Sequence, residues 1–280
     1  MAAQSENDLI KPSRDSVTYE KYLKVKSLTG LQHLLSDPPH HDETLFIIIH
    51  QVYELWFKQI LHEMKLCQDF LDRDELMPVF HSLKRVDTIQ KVLVHQVDVL
   101  ETMAPNEFNA FRENLNPASG FQSYQFRLLE YMLGLKNPNY LKYHEGDSEV
   151  LEILQNALEK PSIYDRFLAY LKRAGLEIPQ EVCDRDFSQP HKSNDRVVDC
   201  FAKIYRDPDA NYPVYLVLEA LLDLDEQFIL WRYRHFAMVQ RMIGSLKGTG
   251  GSAGAAYLAT TLQKRCFPEI WDVRNLIGKY

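Results

Sequence analysis

The sequence predicts an all-α protein that folds as a single helical domain built from long helices. Apolar residues recur every three or four positions through several long segments, which places them on one face of a helix. The sequence contains neither strand-like alternation with hairpin turns nor a long linker rich in proline, glycine or serine. We therefore expect one helical domain over residues 17–280, preceded by a polar, flexible segment at 1–16.

The composition argues against several classes of partner. Hydrophobic residues make up 45% and charged residues 25% of the 280, which is typical of soluble globular proteins. The net charge of -7 argues against a nucleic-acid or anionic-membrane partner. No apolar run reaches the roughly 20 residues that span a bilayer, and the first residues lack a secretory signal. Four scattered cysteines without C-x-x-C spacing predict free thiols and a cytoplasmic location.

The first half of the chain predicts an ordered N-terminal segment followed by two long helices. Ordered structure begins with SVTYEKYLKVKSLTGLQHLL, in which Gly30 predicts a break. Asp42 is placed to cap a long helix whose apolar face runs to Cys67. A second long helix is predicted from about Asp74 to Met103.

The following segments predict shorter helices and then the longest one. Pro105 suits the first turn of a short helix, and Ser119 and Gln122 have capping-box spacing before a helix that runs to Gly134. Three more helices are predicted at 149–158, 162–174 and 194–206. The longest is predicted from Pro213 to Gly244, about 48 Å at about 1.5 Å per residue. One last helix follows a glycine-rich loop.

His235 lies on the apolar face of that longest helix. It shares the face with residues at spacings of three or four, namely Leu224, Phe228, Trp231, Val239 and Met242. A neutral imidazole among hydrophobic side chains is either a hydrogen-bonded core histidine or a metal ligand. The pattern alone favours the core histidine and leaves the metal ligand open.

Familiar metal-site and phosphate-site motifs are missing from the sequence. There is no Glu-x-x-His and no HExxH, and His40-x-Asp42 fits a helix start better than an iron site. The loop KGTGGSAG follows a helix and not a strand, so it does not match a dinucleotide fingerprint. It is either a flexible connection or a loop whose amides and Thr249 hydroxyl close over a small ligand.

Two upstream segments carry side chains suited to a planar, charged ligand. Phe46 and His50 lie four residues apart, so both rings share one helical face and could flank such a ligand. Phe108, Arg112 and Leu115 form a second mixed face, where Arg112 is suited to a carboxylate. Taken singly, a satisfied core histidine and a surface ion pair are the more common explanations.

Together these segments resemble the tryptophan 2,3-dioxygenase family, haem enzymes that open the indole ring of L-tryptophan. The resemblance covers nearly the whole chain, from Tyr19 to Ile277. It is carried, in order, by HHDETLFIIIHQVYELWFKQ, ETMAPNEFNAFRENLNPASGFQS, EQFILWRYRHFAMVQRMIG and KGTGGSAG, and then by FPEIWDVR.

The resemblance implies a role for each candidate residue. His235 is implied as the axial ligand of haem b iron, and His50 as the distal residue that hydrogen-bonds the indole N–H. Arg112 is implied to pair with the substrate carboxylate. Thr249 is implied to contact the ammonium and carboxylate of the bound amino acid as its loop closes. The remaining implied substrate-binding residues are Phe46, Ile47, Ile48, Ile49, Phe108, Leu115, Ser119, Tyr19 and Tyr22. Some bacterial members carry tyrosine at the position of Phe108, so fine contacts in the pocket are expected to differ.

The resemblance also implies the reaction and the assembly. The expected reaction is cleavage of the indole C2=C3 bond by O₂ to give N-formyl-L-kynurenine, the first step of tryptophan catabolism by the kynurenine pathway. The expected assembly is a homotetramer, a dimer of dimers, in which the N-terminal segment with Tyr19 and Tyr22 reaches a neighbouring subunit. The alternatives are a haem dioxygenase of the same family for another indole, and a haem-based tryptophan sensor without turnover.

Overall fold

The computed structural model describes residues 17–251 and 253–278, and this part of the chain is helical without strands. The prediction of an all-α fold is thereby confirmed. The predicted flexible segment at 1–16 lies outside the described residues. The α-helices are α1 (Tyr19–Leu23), α2 (Val25–Leu28), α3 (His41–Asp72), α4 (Leu76–Leu100), α5 (Pro105–Arg112), α6 (Tyr124–Met132), α7 (Ser148–Glu159), α8 (Ile163–Arg173), α9 (Gln180–Cys183), α10 (Asp195–Arg206), α11 (Tyr212–Ile243), α12 (Ala255–Ala259), α13 (Pro268–Asp272) and α14 (Arg274–Ile277).

Three long helices form the frame of the molecule. α4 packs against both α3 and α11, and α6 packs against α3. The main core lies between these helices and α7, α8 and α10, and its largest fully buried side chains include Tyr131, Tyr164 and Phe201. A second, smaller core joins Ile49 of α3 and Val97 of α4 to Met238 of α11. None of the helices among the described residues is long and apolar enough to cross a membrane.

Local sequence signals account for several helix boundaries. Ser162 caps α8 through a capping box with Asp165, and Asn194 caps α10 by accepting from the Arg196 amide. The longest predicted helix is observed with 32 residues, and its final turn leads into Gly244 at φ +57°. Glycine takes this left-handed backbone without a Cβ clash, so the helix ends where the glycine pattern predicts.

Two predictions about helix boundaries were wrong. The N-cap of α3 is His40 and not Asp42, because the His40 ring Nδ1 accepts the Asp42 amide at 3.3 Å. Asp42 instead lies in the first turn, where a carboxylate interacts favourably with the helix dipole. The single helix predicted after the glycine loop is three short ones, α12 to α14, separated in part by Pro268, which cannot continue a helix from its N-terminal side.

Candidate active site

A cavity of about 360 Å³ opens between α3, α5, α6 and α11 and the glycine-rich segment that follows α11. This volume falls in the range of about 300–1,000 Å³ typical of small-molecule sites. Most of the sequence-predicted site residues line it, namely Phe46, His50, Phe108, Arg112, Ser119, His235 and Thr249. Tertiary folding therefore brings together residues that are separated by as many as about 200 positions in the chain.

His50 and Phe46 lie on the face of α3 that turns towards the cavity. The two ring centroids are 4.2 Å apart, and the Phe46 ring lies 5.7 Å from that of Phe108 on α5. The His50 Nδ1 lies 2.7 Å from the Phe46 carbonyl oxygen. Because a carbonyl can only accept, Nδ1 carries the hydrogen and Nε2 keeps its lone pair.

The charge state of His50 follows from its surroundings. Burial lowers the pKa of its imidazole, and this effect exceeds the opposing hydrogen bond to Phe46 and the nearby Glu54 carboxylate. His50 lines the cavity and is exposed to solvent. At neutral pH His50 is therefore an uncharged imidazole that presents a hydrogen-bond acceptor.

His235 projects from α11 into the same cavity. Its ring stacks on Trp231, with centroids 5.1 Å apart and an interplanar angle of 18°. Burial, with a smaller contribution from nearby His50, lowers the pKa of His235 to about 4. Its ring nitrogens make no hydrogen bond to any residue in the described part of the chain. A neutral imidazole that faces a cavity and has no hydrogen-bond partner among these residues matches a metal ligand better than a satisfied core histidine.

The glycine-rich segment closes against the loop that precedes α6. The Thr249 hydroxyl donates to the Ala118 carbonyl oxygen at 2.7 Å, and the Arg112 guanidinium donates from Nη2 to the Lys247 carbonyl oxygen. Gly250 lies directly against Ser119, so close that a Cβ at Gly250 would lie 2.3 Å from the Ser119 Cβ. Ser252 of the same segment lies outside the described residues.

Six sequence-predicted substrate residues do not line this cavity. Helical periodicity turns Ile47, Ile48 and Ile49 away from the face of Phe46 and His50: Ile49 is buried in the smaller core and Ile48 is exposed. Leu115 lies in a 3-10 turn and packs against that core. Tyr19 and Tyr22 are 77% and 73% exposed on α1, outside the cavity of their own chain.

Comparison with known proteins gives the family. The model of the tryptophan 2,3-dioxygenase family matches residues 2–161 and 157–277. The chain belongs to the tryptophan 2,3-dioxygenase family. A relative with that name from Caulobacter vibrioides is 45% identical over 259 residues, which is 92% of this chain and 98% of the relative.

Two further tryptophan 2,3-dioxygenases agree. That of an Arthrobacter species (strain FB24) is 44% identical over 99% of this chain and 97% of its own length. That of Serratia proteamaculans is 44% identical over 94% of each chain. The family predicted from the sequence motifs is confirmed.

The cavity of this family member suits the haem that the resemblance implies. Haem iron needs only an axial ligand from the protein, because the porphyrin supplies the other four nitrogens. His235 offers that ligand as a neutral imidazole, and aromatic and aliphatic side chains such as Phe126, Trp231 and Met238 line the walls around it. Within the described ranges no group of three His, Cys, Asp or Glu side chains could hold a bare metal ion.

Sequence analysis missed a set of polar residues in the same cavity. Arg127 and Glu130 of α6 and Arg232 of α11 line it, together with Tyr140 and Tyr257. The Arg127–Glu130 spacing of three is also typical of a solvated ion pair on a helix surface, so the sequence pattern did not single them out. Only the packing of α6 against the rest of the bundle buries them.

Proposed function

We propose that this chain is a haem-dependent tryptophan 2,3-dioxygenase that converts L-tryptophan and O₂ into N-formyl-L-kynurenine. The C2–C3 bond of the indole breaks and each carbon gains one oxygen atom, so the reaction balances without an external reductant. The observation that carries the proposal is the placement of two neutral imidazoles, His50 and His235, around one cavity whose lining also includes Arg112 and Thr249.

His235 is the residue that would hold the haem iron, through its imidazole. Because burial keeps its pKa near 4, the imidazole lone pair is available at neutral pH without loss of a proton. Stacking on Trp231 restricts rotation of the ring, which orients the lone pair. The chemistry that the haem supplies when bound is activation of O₂ for addition to the indole C2=C3 bond.

His50 is proposed to orient the indole. Its Nδ1 hydrogen is used by the Phe46 carbonyl oxygen, so its Nε2 can accept a hydrogen bond from the indole N–H. An indole N–H is very weakly acidic, so acceptance of a hydrogen bond is sufficient and proton removal is not required. The rings of Phe46 and Phe108 offer apolar contact to the flat substrate.

Arg112 and Thr249 are proposed to bind the amino-acid end of the substrate. Arg112 uses one of its five N–H groups on the Lys247 carbonyl oxygen, which leaves donors for a carboxylate. The Thr249 hydroxyl gives its hydrogen to Ala118, so its oxygen can accept from the substrate ammonium. Ser119 lies against Gly250, which belongs to the same loop as Thr249, and completes this end of the pocket.

The assembly is proposed to be a homotetramer, a dimer of dimers, in which α1 contributes to a neighbouring subunit's site. The exposure of Tyr19 and Tyr22 supports this, because two large aromatic side chains on a short helix gain by burial against another surface. Removal of both rings is expected to raise the KM for tryptophan while leaving the mass measured by light scattering unchanged.

A cytoplasmic location is proposed as well. Cys67, Cys183, Cys200 and Cys266 are all unpaired in the structure, as thiols are in a reducing compartment. Cell fractionation with an antibody to the chain tests this.

The decisive experiment is an assay on purified, haem-loaded and reduced protein with L-tryptophan and ¹⁸O₂. Mass spectrometry is expected to find N-formylkynurenine that carries both labelled atoms. A product formed only from a substituted indole would indicate another substrate. A bound haem that responds spectrally to tryptophan without any product would indicate a sensor.

A further inference from the structure

Glu54 lies on α3, four residues after His50, and lines the same cavity. Residues four apart share one face of a helix, so α3 turns both side chains towards the cavity. The reaction described above uses His50 and leaves Glu54 without a role. A half-buried carboxylate loses part of its hydration, so it needs specific hydrogen-bond donors in place of water.

Those donors come from the start of α6. The Ser123 hydroxyl donates to Glu54 Oε1 at 2.5 Å, and the Gln125 Nε2 donates to Glu54 Oε2 at 2.8 Å. The same Gln125 Nε2 lies 2.9 Å from the Glu54 carbonyl oxygen. Both carboxylate oxygens of Glu54 therefore hold the first turn of α6 against α3.

Ser123 connects α6 to the turn that precedes it. Its Oγ accepts from the Phe126 amide at 3.3 Å and so caps α6. Its own amide donates to the Gly120 carbonyl oxygen at 3.3 Å, and the Gln122 amide donates to the Ser119 carbonyl oxygen at 2.9 Å. Because a single 3-10 turn joins Ser119 to Ser123, a carboxylate that fixes Ser123 also fixes Ser119.

Ser119 lies at the amino-acid end of the proposed substrate site. Gly250 packs directly against it, and the neighbouring Ala118 carbonyl oxygen accepts from the Thr249 hydroxyl at 2.7 Å. The position of this segment therefore determines where the glycine-rich loop closes. A continuous chain of contacts leads from the carboxylate on α3 to the surface on which that loop closes.

We propose that Glu54 is a positioning residue for L-tryptophan, which acts by holding the segment 119–123 in place before the substrate binds. The proposal rests on the proposed function, since it assumes that Ser119 and Thr249 contact the amino-acid end. His50 orients the indole from the same face of α3, so one helix face positions both ends of the substrate. If the segment is released, the apparent affinity falls in proportion to the fraction of molecules in which it is correctly placed.

The test begins with Glu54→Ala, which removes both side-chain hydrogen bonds. The KM for L-tryptophan is expected to rise by about 10- to 100-fold, because hydrogen bonds to a charged group contribute about that factor. The kcat is expected to change little, since the bound state keeps the same contacts. The affinity for 3-methylindole, which has no amino-acid group, is expected to stay at the wild-type value when it is titrated into haem-loaded protein and followed by haem absorbance.

The conservative variant Glu54→Gln is expected to restore most of the affinity. Its amide oxygen can still accept from the Ser123 hydroxyl, and the Gln125 Nε2 keeps the carbonyl oxygen of residue 54. Ser123→Ala is the second variant, in case Glu54→Ala does not fold. Because Glu54 and Ser123 share one contact, the double alanine variant should lose little more than either single variant.

Glu63→Ala is the matched control. Glu63 also lies on α3, is 2% exposed, and accepts from the Arg85 Nη1 and the Gln59 Nε2, both at 2.8 Å, but it lies outside the cavity lining. Its removal is expected to lower stability and to leave the KM unchanged. Hydrogen exchange of the full-length chain, with and without haem, adds a readout that needs no activity: amides in 119–126 should exchange faster in Glu54→Ala and at the wild-type rate in Glu63→Ala.

Three outcomes would overturn the proposal. Equal weakening of L-tryptophan and 3-methylindole in Glu54→Ala would show general damage to the site, and an equal rise of KM in Glu63→Ala would show the same. A wild-type KM in both Glu54→Ala and Ser123→Ala would show that the contact does not position the substrate. A wild-type chain that binds no haem would overturn the proposed function, whereas the exchange comparison would still show whether Glu54 holds the segment 119–123.

Discussion

Replacement of Gly250 by alanine tests whether the glycine loop must lie against Ser119 for the substrate to be held. The new Cβ would lie 2.3 Å from the Ser119 Cβ and 2.6 Å from its Oγ. Carbon atoms in contact are separated by about 3.5 Å or more, so the loop must retreat by about 1.2 Å. The Thr249–Ala118 hydrogen bond of 2.7 Å would then lengthen to about 3.9 Å, beyond hydrogen-bonding distance.

The expected loss follows from that one hydrogen bond. A neutral hydrogen bond contributes about 0.5–1.5 kcal/mol net, so loop closure should weaken by about 2- to 12-fold at about 1.4 kcal/mol per tenfold. The KM for L-tryptophan is expected to rise by that factor, measured with steady-state kinetics on the haem-loaded protein. Gly146→Ala, where a Cβ meets nothing within 4 Å, is the control and should leave KM unchanged.

A second substitution makes the reasoning refutable. Ser119→Gly removes both atoms that the alanine Cβ would strike, and the Ser119 Cα at 3.6 Å is an ordinary contact. The double variant Gly250→Ala with Ser119→Gly should therefore bind tryptophan no worse than Ser119→Gly alone. A Gly250→Ala protein with wild-type KM, or a double variant with simply additive losses, would show that loop contact does not control binding.

Three further predictions concern individual side chains of the pocket. After reconstitution with haem and gel filtration, His235→Ala is expected to show no haem absorbance, whereas His50→Ser should retain it. Normal haem uptake by His235→Ala would refute the ligand assignment. His50→Ser should keep substantial turnover but lose the acid limb of the pH profile for kcat/KM. In the wild type that limb lies below pH 6.5, because burial lowers the pKa of His50 and protonation of Nε2 removes its acceptor. Arg112→Met should lower kcat/KM for L-tryptophan by about 10- to 100-fold, because a hydrogen bond to a charged group contributes about that factor. The kcat/KM for tryptamine, which has no carboxylate, should change little. Equal losses for both substrates would count against the carboxylate contact.

Helix existence was predictable because its signals are local. Apolar residues at helical spacing lie within the helix that they predict, and the capping residues Ser162 and Asn194 directly precede α8 and α10. The same locality explains why Phe46 and His50 were correctly placed on one face of α3. The cap of α3 was not predicted correctly: the sequence pattern indicated Asp42, whereas the structure has His40, whose ring Nδ1 accepts from the Asp42 amide.

The sequence alone determined the all-α class, the family and the run of residues that carries His235, because long motifs in fixed order and helical periodicity are properties of the chain. Tertiary packing decided which groups those residues contact. It brought the hydroxyl of Thr249 to the carbonyl of Ala118, left the His235 imidazole without a hydrogen-bond partner among the described residues, and buried Arg127 beside Arg232 with one shared carboxylate. These contacts depend on burial and on distances between segments far apart in the chain, and no local pattern contains either quantity.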